Sequence, residues 1–378
     1  NIEDDLHLLE DFDWVIEVVI ENLDVKRDLY SRLCDNIGPE TILSSNTSTL
    51  PRSKLVSELP RDVSSRFLIT HFFNPPRYLP LLEVVTSPEV DESVVTRFCK
   101  FADHRLGKRV TMCNDRPGFI GNRLGVYFIQ RAFKATLELG LSVEQADAML
   151  GRPIGLPKTA VFALMDLVGI DLIPHVTESL LEHLPDDDPF HKIAGTGEEI
   201  ILNMIQDGYT GRKGKGGFYR LNKDGGKKVK EARNLYTGEY LNANRRAAFP
   251  SAKMGKRGIS SLMDCNDEGA RLVKEVLLDS LSYAAHIVPD VSDDIYSIDG
   301  AMKVGYNWKA GPFEMMDSIG VESMVERLES SGREVPSFLS LAAERGSFYG
   351  MEDGEITRLD PSGEMVIVNR PEDTLTVA

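Results

Sequence analysis

The stretch from His71 to Glu83, HFFNPPRYLPLLE, constrains the fold more than any other part of the sequence. It begins after one short apolar run, 67–70, and ends inside another, 81–85, and both runs are typical of strands. Prolines inside the stretch exclude a helix there, because proline lacks the amide hydrogen and fixes the backbone angle φ. The sequence therefore predicts two strands joined by a proline-rich connection, with a histidine at the end of the first strand.

A single carboxylate, Glu83, interrupts the second apolar run. A buried carboxylate is costly unless it is paired, and His71 is the obvious partner. Such a dyad can take up a proton near neutral pH, which suits general base chemistry. A structural histidine at a strand end, with a glutamate on an exposed edge, explains the same two residues equally well. The pair alone leaves both interpretations open.

Composition narrows the class of protein. The 378 residues suffice for two or three domains with buried cores. The net charge of −16 argues against nucleic acid as a partner, although a local basic patch can still bind an anionic substrate. The four cysteines form no C-x-x-C pair, which fits reduced thiols in a cytoplasmic protein. Histidines without partners at metal spacing predict no metal site, and no apolar run reaches the roughly 18 residues of a transmembrane helix.

The pattern of predicted elements changes once along the chain. Residues 1–114 alternate strand and helix signals, an order that predicts a parallel sheet covered by helices. A long helix is then predicted to run to about Leu139. Asp115 can cap it, and Pro117 lies near its first turn. The basic, glycine-rich residues 211–257 are typical of a loop and linker.

The helical half contains an internal repeat. ADAM at 146–149 recurs as DGAM at 299–302, and FALMDLVG at 162–169 recurs as FEMMDSIG at 313–320. The copies lie about 150 residues apart, which is typical of duplicated domains and not of a solenoid. Two such units could pack against each other as an internal pseudo-dimer.

The sequence thus predicts five segments. The last of them is a β-rich tail with a hairpin around a Pro-Ser-Gly turn. The segments are an α/β domain at 1–114, a first helical domain at 115–220, a linker at 221–257, a second helical domain at 258–346 and the tail at 347–378.

Polar residues follow a predicted strand at SSNTST, 44–49. Ligands in open α/β sheets bind outside the carboxyl ends of strands, where Asn46 and Ser48 could hydrogen-bond to them. Asn122, near the start of the long helix, could point into the cleft between the sheet and the helical half. A helix cap at 44–49 and a solvated Asn122 are the ordinary alternatives, and the acidic run 186–188 is predicted to be a solvated loop.

Taken together and in this order, the segments resemble the L-3-hydroxyacyl-CoA dehydrogenase family over residues 10–346. The resemblance is carried by SNTS at 45–48, HFFNP at 71–75 and PGFIGNR at 117–123, with further matches at 15–23, 82–84 and 213–219. It implies an α/β followed by all-α fold. More specifically, it implies an incomplete Rossmann-type NAD-binding domain and two tandem helical domains of the family's C-terminal type.

The resemblance also implies a reaction, the reversible oxidation of an L-3-hydroxyacyl-CoA to a 3-ketoacyl-CoA with NAD. His71 matches the family's catalytic base and Glu83 its orienting partner, while Ser48 and Asn122 match positions that contact the substrate. The positions that match residues near the nicotinamide cofactor are Glu21, Lys26, Asn46, Ser48, Asn74 and Lys213.

The sequence departs from the family pattern in two ways. The chain contains no G-x-G-x-x-G loop, so by itself it should bind NAD poorly, and we expect an upstream segment to be missing. The doubled helical domain resembles the multifunctional fatty acid β-oxidation proteins, which also carry an enoyl-CoA hydratase domain. A non-catalytic fragment serving as an assembly module, and a dehydrogenase of a free 3-hydroxy acid, remain the alternatives.

Overall fold

Residues 14–113 form a five-stranded sheet with helices packed against it, in a computed structural model that describes residues 4–223, 228–244 and 246–368. The strands, in sheet order, are β1 (Trp14–Glu17), β2 (Ile42–Ser45), β3 (Phe67–Phe72), β4 (Leu81–Val85) and β5 (Arg109–Cys113). The helices between them are α1 (Leu23–Cys34), α2 (Arg52–Val56), α3 (Arg61–Ser64) and α4 (Glu92–Leu106), after a 3₁₀ helix at Leu6–Asp11.

The sheet is Rossmann-like, as predicted, but it is not parallel throughout. β1, β2 and β3 are parallel, whereas β4 pairs antiparallel with β3 and parallel with β5. The expectation of a wholly parallel sheet is therefore wrong at β3–β4. The proline-rich connection is too short for the crossover that parallel neighbours need, so the chain can only turn back on itself.

The first helical unit begins with the long helix α5 (Gly121–Glu138). The helix does not start near Pro117 as predicted, because Gly118 and Phe119 adopt left-handed backbone conformations that a right-handed helix cannot include. Asp115 caps a different helix, since its carboxylate accepts hydrogen bonds from the first backbone N–H groups of α2. The unit continues with α6 (Val143–Met149), α7 (Phe162–Val168), α8 (Leu172–His183) and α9 (Glu198–Gln206), and with 3₁₀ helices at Arg152–Ile154 and Pro189–Lys192.

A small antiparallel sheet occupies much of the stretch that was predicted to be a loop and linker. Its strands are β6 (Tyr219–Asn222), β7 (Val229–Arg233) and β8 (Tyr240–Asn242), followed by a 3₁₀ helix at Pro250–Arg257. Across it, Arg220 binds the Glu231 carboxylate at 2.7 Å and lies 4.0 Å from the ring centre of Tyr240. The prediction of a loop in this stretch is wrong, because these strands are held by cross-strand pairs although their composition is that of a loop.

The second helical unit contains six helices and ends in a hairpin. The helices are α10 (Ile259–Met263), α11 (Glu268–His286), α12 (Ile295–Gly305), α13 (Pro312–Ile319), α14 (Val321–Ser330) and α15 (Ser337–Arg345). The strands that follow are β9 (Tyr349–Glu352), β10 (Glu355–Leu359) and β11 (Met365–Ile367). β10 and β11 form the predicted hairpin, whereas the predicted tail beyond residue 368 lies outside the described residues. Among the helices described, none has the length and apolar character needed to cross a membrane.

The two helical units contain equivalent buried hydrogen bonds. Asp147 accepts hydrogen bonds from backbone N–H groups at the start of α7 and from the Tyr219 hydroxyl. Asp299 accepts hydrogen bonds from backbone N–H groups at the start of α13 and from the Tyr349 hydroxyl. In each unit one carboxylate thus ties a helix N-terminus to the strand that closes the unit.

The units pack against each other through α5 and α11. The rings of Tyr127 and Tyr283 stack across this interface with their centres 3.8 Å apart. Beside them the buried Arg123 forms an ion pair with Asp188 and donates to the Tyr283 hydroxyl at 2.5 Å. The prediction that 186–188 is a solvated loop is therefore wrong for Asp188, which is 4% exposed. A buried guanidinium needs a counter-charge, and Asp188 supplies it.

Candidate active site

The register of β3 and β4 brings together the histidine and the glutamate that the sequence singled out. His71 lies directly opposite Glu83, and side chains at paired positions of neighbouring strands project from the same face of a sheet. The His71 Nδ1 atom lies 2.7 Å from Glu83 Oε2, with 7% of the His71 side chain and none of the Glu83 side chain exposed. The twelve-residue separation in sequence therefore becomes a direct hydrogen bond.

The second carboxylate oxygen of Glu83 is held by the start of α5. Its Oε1 atom accepts hydrogen bonds from the backbone N–H groups of Ile120, at 3.1 Å, and Gly121, at 2.7 Å. Both oxygens of Glu83 are thus held, one by the imidazole and the other by the N-terminus of a helix. An ionised Glu83 accepts the Nδ1–H of His71 and leaves Nε2 as the atom that can take up a proton.

Aromatic rings and a thiol enclose the dyad. The His71 ring centre lies 4.8 Å from that of Phe73 and 5.9 Å from that of Phe119. The sulfur of Cys113 lies 3.8 Å from Glu83 Oε1. Burial, followed by the charge of Glu83, raises the pKa of the Cys113 thiol well above its ordinary value, so the thiol remains neutral. On this side the dyad is therefore enclosed by two aromatic rings and an uncharged thiol.

The polar loop after β2 reaches the same edge of the sheet. Asn46 accepts the backbone N–H of Phe72 at 2.9 Å, next to His71, and Asn122 donates to the backbone oxygen of Ser48 at 3.4 Å. The structure thus places Ser48, Asn122 and His71 around one end of β2 and β3. In this loop Thr47 makes the helix-cap type of contact, since its hydroxyl accepts the N–H of Leu50. Asn46 and Ser48 are thereby left available to a ligand.

Glu21 organises that loop from the end of β1. One of its oxygens accepts hydrogen bonds from the Thr47 hydroxyl and from the backbone N–H groups of Ser48, at 3.0 Å, and Thr49, at 3.3 Å. Burial acts to raise the pKa of Glu21, but the hydrogen bond from Thr47 and the charge of Lys26 outweigh it and leave the pKa lowered. The ionised carboxylate therefore fixes the backbone conformation at Ser48.

A cleft of about 810 Å³ lies between this sheet edge and α8. Asn46, Ser48 and Glu21 line its sheet side, and His175 and Ser179 line its helical side. Its volume is in the range of small-molecule sites. The helix α1 that starts here has its own cap in Asn22 and an acidic first turn, so it does not favour phosphate. The start of α1 therefore does not supply a site for the pyrophosphate of a dinucleotide.

Three of the predicted cofactor residues lie outside this cleft. Lys26 is buried beneath it and bound to Glu17 at 2.8 Å. Lys213 lies on the helical unit and binds Asp171 at 2.7 Å, and Asn74 is exposed on the turn after β3. The structure therefore brings together Glu21, Asn46 and Ser48, while Lys26 supports the cleft from below.

Sequence reasoning missed Lys108, which holds the connection that follows the histidine. Its ammonium group donates to the backbone carbonyls of Pro76 and, at 2.8 Å, of Leu79. Burial lowers the pKa of Lys108, and its side chain also lies over the Phe72 ring. A lone lysine before a strand carries no signal for this role, because its partners are carbonyls distant in sequence.

Replacing Lys108 by Met is expected to lower the free energy of unfolding by about 2 kcal/mol, since hydrogen bonds from charged groups contribute about 1.5–3 kcal/mol. Urea denaturation measures the change, and limited proteolysis should then cleave within 73–80. The matched control is Lys100→Met on α4, where the lysine is exposed and the expected change is under about 0.5 kcal/mol. Equal stability of the two variants would contradict the anchoring role.

Two models of known protein families match this chain, one over the α/β domain and one over the first helical unit. Residues 1–116 match the family model described as 3-hydroxyacyl-CoA dehydrogenase, NAD binding domain. Residues 118–221 match the model described as 3-hydroxyacyl-CoA dehydrogenase, C-terminal domain. The boundary between the matches falls in the turn before α5, where the elements that hold Glu83 meet.

Individual relatives agree with the family models. The chain is 34% identical over 223 residues to a 3-hydroxybutyryl-CoA dehydrogenase of Mycobacterium tuberculosis, covering 57% of this chain and 72% of the relative. It is 39% identical over 316 residues to a protein of Rickettsia felis that carries the name of a fatty acid oxidation complex trifunctional enzyme. That match covers 84% of this chain but only 43% of the relative, so the chain spans less than half of the longer protein.

The fold is shared with a solved structure. The crystal structure of 3-hydroxybutyryl-CoA dehydrogenase from Escherichia coli superposes with a TM-score of 0.68 at 22% identity. The match covers 90% of this chain and 83% of the other, so the likeness extends into the second helical unit. The family models, the relative that is mostly covered and the shared fold agree, and the chain belongs to the 3-hydroxyacyl-CoA dehydrogenase family.

Proposed function

We propose that the protein carrying this chain catalyses the reversible NAD-dependent oxidation of an L-3-hydroxyacyl-CoA to a 3-ketoacyl-CoA in fatty acid β-oxidation. The observation that carries the proposal is the 2.7 Å hydrogen bond between His71 and a Glu83 carboxylate that α5 also holds. This arrangement gives a general base whose reactive nitrogen is set by a buried partner. Membership of the family supplies the substrate class and the cofactor.

In this proposal His71 Nε2 accepts the proton of the substrate hydroxyl. Glu83 keeps the other ring nitrogen protonated and stabilises the imidazolium that forms. Ser48 and Asn122 hold the 3-oxygen and the neighbouring acyl part, because both lie at the ends of the elements around His71. Glu21, Asn46 and Ser48 would line the site of the nicotinamide part of NAD, which would supply the hydride acceptor for the substrate carbon.

The proposal is tested by adding NADH and acetoacetyl-CoA to the complete gene product, since residues 1–378 contain no G-x-G-x-x-G phosphate loop. We expect NADH to be consumed, as followed by its absorbance, and 3-hydroxybutyryl-CoA to form. Acetoacetate replaces acetoacetyl-CoA in a parallel assay. Faster turnover of the free acid would favour a dehydrogenase of 3-hydroxy acids. No consumption with either substrate would favour an assembly module without catalytic activity.

We also propose the domain division 1–114, 115–220, 221–257, 258–346 and 347–378, with the helical domains packed as an internal pseudo-dimer. In support, β5 ends at Cys113, α10 begins at Ile259, and α5 packs against α11. A relative that carries the name of a trifunctional enzyme supports an enoyl-CoA hydratase domain or partner. Four free thiols support a cytoplasmic location.

A further inference from the structure

We propose that the second helical unit contributes a positioning residue, Tyr306, to the His71–Glu83 dyad of the α/β domain, through the aromatic contact that Tyr306 makes with Phe73. The proposal rests on the proposed function for its kinetic consequence, but not for its structural one. Tyr306 follows α12, and in sequence it is more than 200 residues from both His71 and Glu83. The dyad belongs to the α/β domain and Tyr306 to the degenerate copy of the helical unit, so a purely structural role would be the ordinary expectation.

A continuous chain of rings connects Tyr306 to the base. The Tyr306 ring meets that of Phe73 edge-on, with the centres 6.0 Å apart and the planes at 73°. Phe73 in turn lies 4.8 Å from the His71 ring. Edge-to-face pairs of this kind have a defined geometry and contribute about 0.5–1.5 kcal/mol beyond the area they bury. The orientation of Phe73, and with it one wall of the imidazole site, therefore depends on Tyr306.

Glycines on α5 make room for both rings. A Cβ atom on Gly121 would overlap the ring of Phe73, and a Cβ atom on Gly125 would overlap the hydroxyl end of Tyr306. The two glycines are one helical turn apart and so lie on the same face of α5. Gly121 also donates its N–H to Glu83, so the surface that receives the two rings is the one that holds the dyad.

The residues that precede Tyr306 pack closely against the sheet as well. Gly305 packs so closely on Leu81 of β4 that a Cβ atom there would overlap the leucine side chain only 2.5 Å away. α12 itself packs against β4 and β5. Leu81 is two residues from Glu83 on the same strand, so the second unit supports the strand that carries the orienting carboxylate.

The positioning of Phe73 requires the ring of Tyr306 and not its hydroxyl. Burial, followed by the charge of Glu83, raises the pKa of Tyr306, so the phenol is neutral at physiological pH. Contact with Phe73 is made by the ring. A phenylalanine at position 306 should therefore keep the contact, whereas an alanine should leave Phe73 free to turn and admit water beside His71.

The test compares Tyr306→Ala and Tyr306→Phe in the complete gene product, with Trp308→Phe as the control. Trp308 lies in the same segment and packs on Phe128 of α5, on a different ring pair. We expect Tyr306→Ala to lower kcat about tenfold with KM within about twofold, because small misplacements of a base cost turnover more than binding. Tyr306→Phe and Trp308→Phe should stay within about twofold of the parent kcat. Gly125→Ala, which displaces the Tyr306 ring without altering it, should resemble Tyr306→Ala.

A second readout does not depend on turnover. The Nδ1–H proton of His71, shared with Glu83, should give a low-field proton resonance that disappears in His71→Gln. It should broaden in Tyr306→Ala through exchange with water and persist in Tyr306→Phe. An unchanged resonance and kcat in folded Tyr306→Ala would overturn the proposal, and so would equal losses in the alanine and phenylalanine variants. Absence of turnover in the parent protein would instead refute the proposed function, while the resonance would still decide whether Tyr306 positions His71.

Discussion

His71→Gln is expected to lower kcat of the complete gene product at least about a hundredfold, with little change in KM. Glutamine can still donate an N–H to Glu83, so the buried carboxylate keeps a partner and the strand pair should remain folded. It cannot accept and hold a proton, however, and a positioned general base contributes roughly 10²–10⁴ in rate. The loss should therefore fall on the chemical step.

Steady-state kinetics with NADH and acetoacetyl-CoA measures this effect, and circular dichroism checks that the variant is folded. His104→Gln serves as the matched control, because His104 is an exposed histidine on α4 with a carboxylate 3.7 Å away. The control makes the same residue change beside a carboxylate, but at a position away from the dyad. A parent-like kcat for His71→Gln would remove His71 as the base.

Arg123→Met is expected to lower the free energy of unfolding by about 3–5 kcal/mol, because it leaves a buried ion pair without one partner. The guanidinium joins three parts of the molecule, namely α5, the loop that carries Asp188, and Tyr283 on α11. Its removal leaves the buried Asp188 carboxylate without its counter-charge. Asp188 would keep only the hydrogen bonds from the Phe190 N–H and the Tyr283 hydroxyl.

Urea denaturation of the single variants and of Arg123→Met/Asp188→Asn tests the explanation. If the cost arises from an uncompensated charge, the double variant should be more stable than Arg123→Met alone. Arg116→Met is the control, since Arg116 binds Asp290 at 2.5 Å but is 55% exposed, and its loss should cost under about 1 kcal/mol. Similar losses for Arg116→Met and Arg123→Met would show that burial of the pair is not the cause.

The candidate site was largely predictable because its residues lie in short continuous motifs at the ends of elements. SNTS, HFFNP and PGFIGNR each lie at the end or the start of an element, so local sequence suffices to identify the junction and its chemistry. The pairing of His71 with Glu83 could also be proposed, since a lone carboxylate in an apolar strand needs a partner. The partners of the second carboxylate oxygen could not be proposed, because they are backbone N–H groups and these have no sequence signature.

Other features depended on contacts between distant residues. The acidic run 186–188 has the composition of a solvated loop, and only the position of Arg123 makes Asp188 a buried counter-ion. Lys26 matches a cofactor position, yet in the fold it is bound to Glu17 beneath the cleft. The small sheet formed by β6, β7 and β8 replaces a predicted linker, because its pairing is set by neighbours across the strands.

By itself, the sequence determined the alternation of strands and helices in residues 1–114, the repeat within the helical half and the motifs that contain His71 and Glu83. Each of these is encoded in local periodicity or in a motif of a few residues. Tertiary structure alone decided that α5 holds Glu83 and that Tyr306 of the second helical unit packs on Phe73. These depend on the packing of surfaces far apart in the chain, whose energies arise only once the surfaces meet.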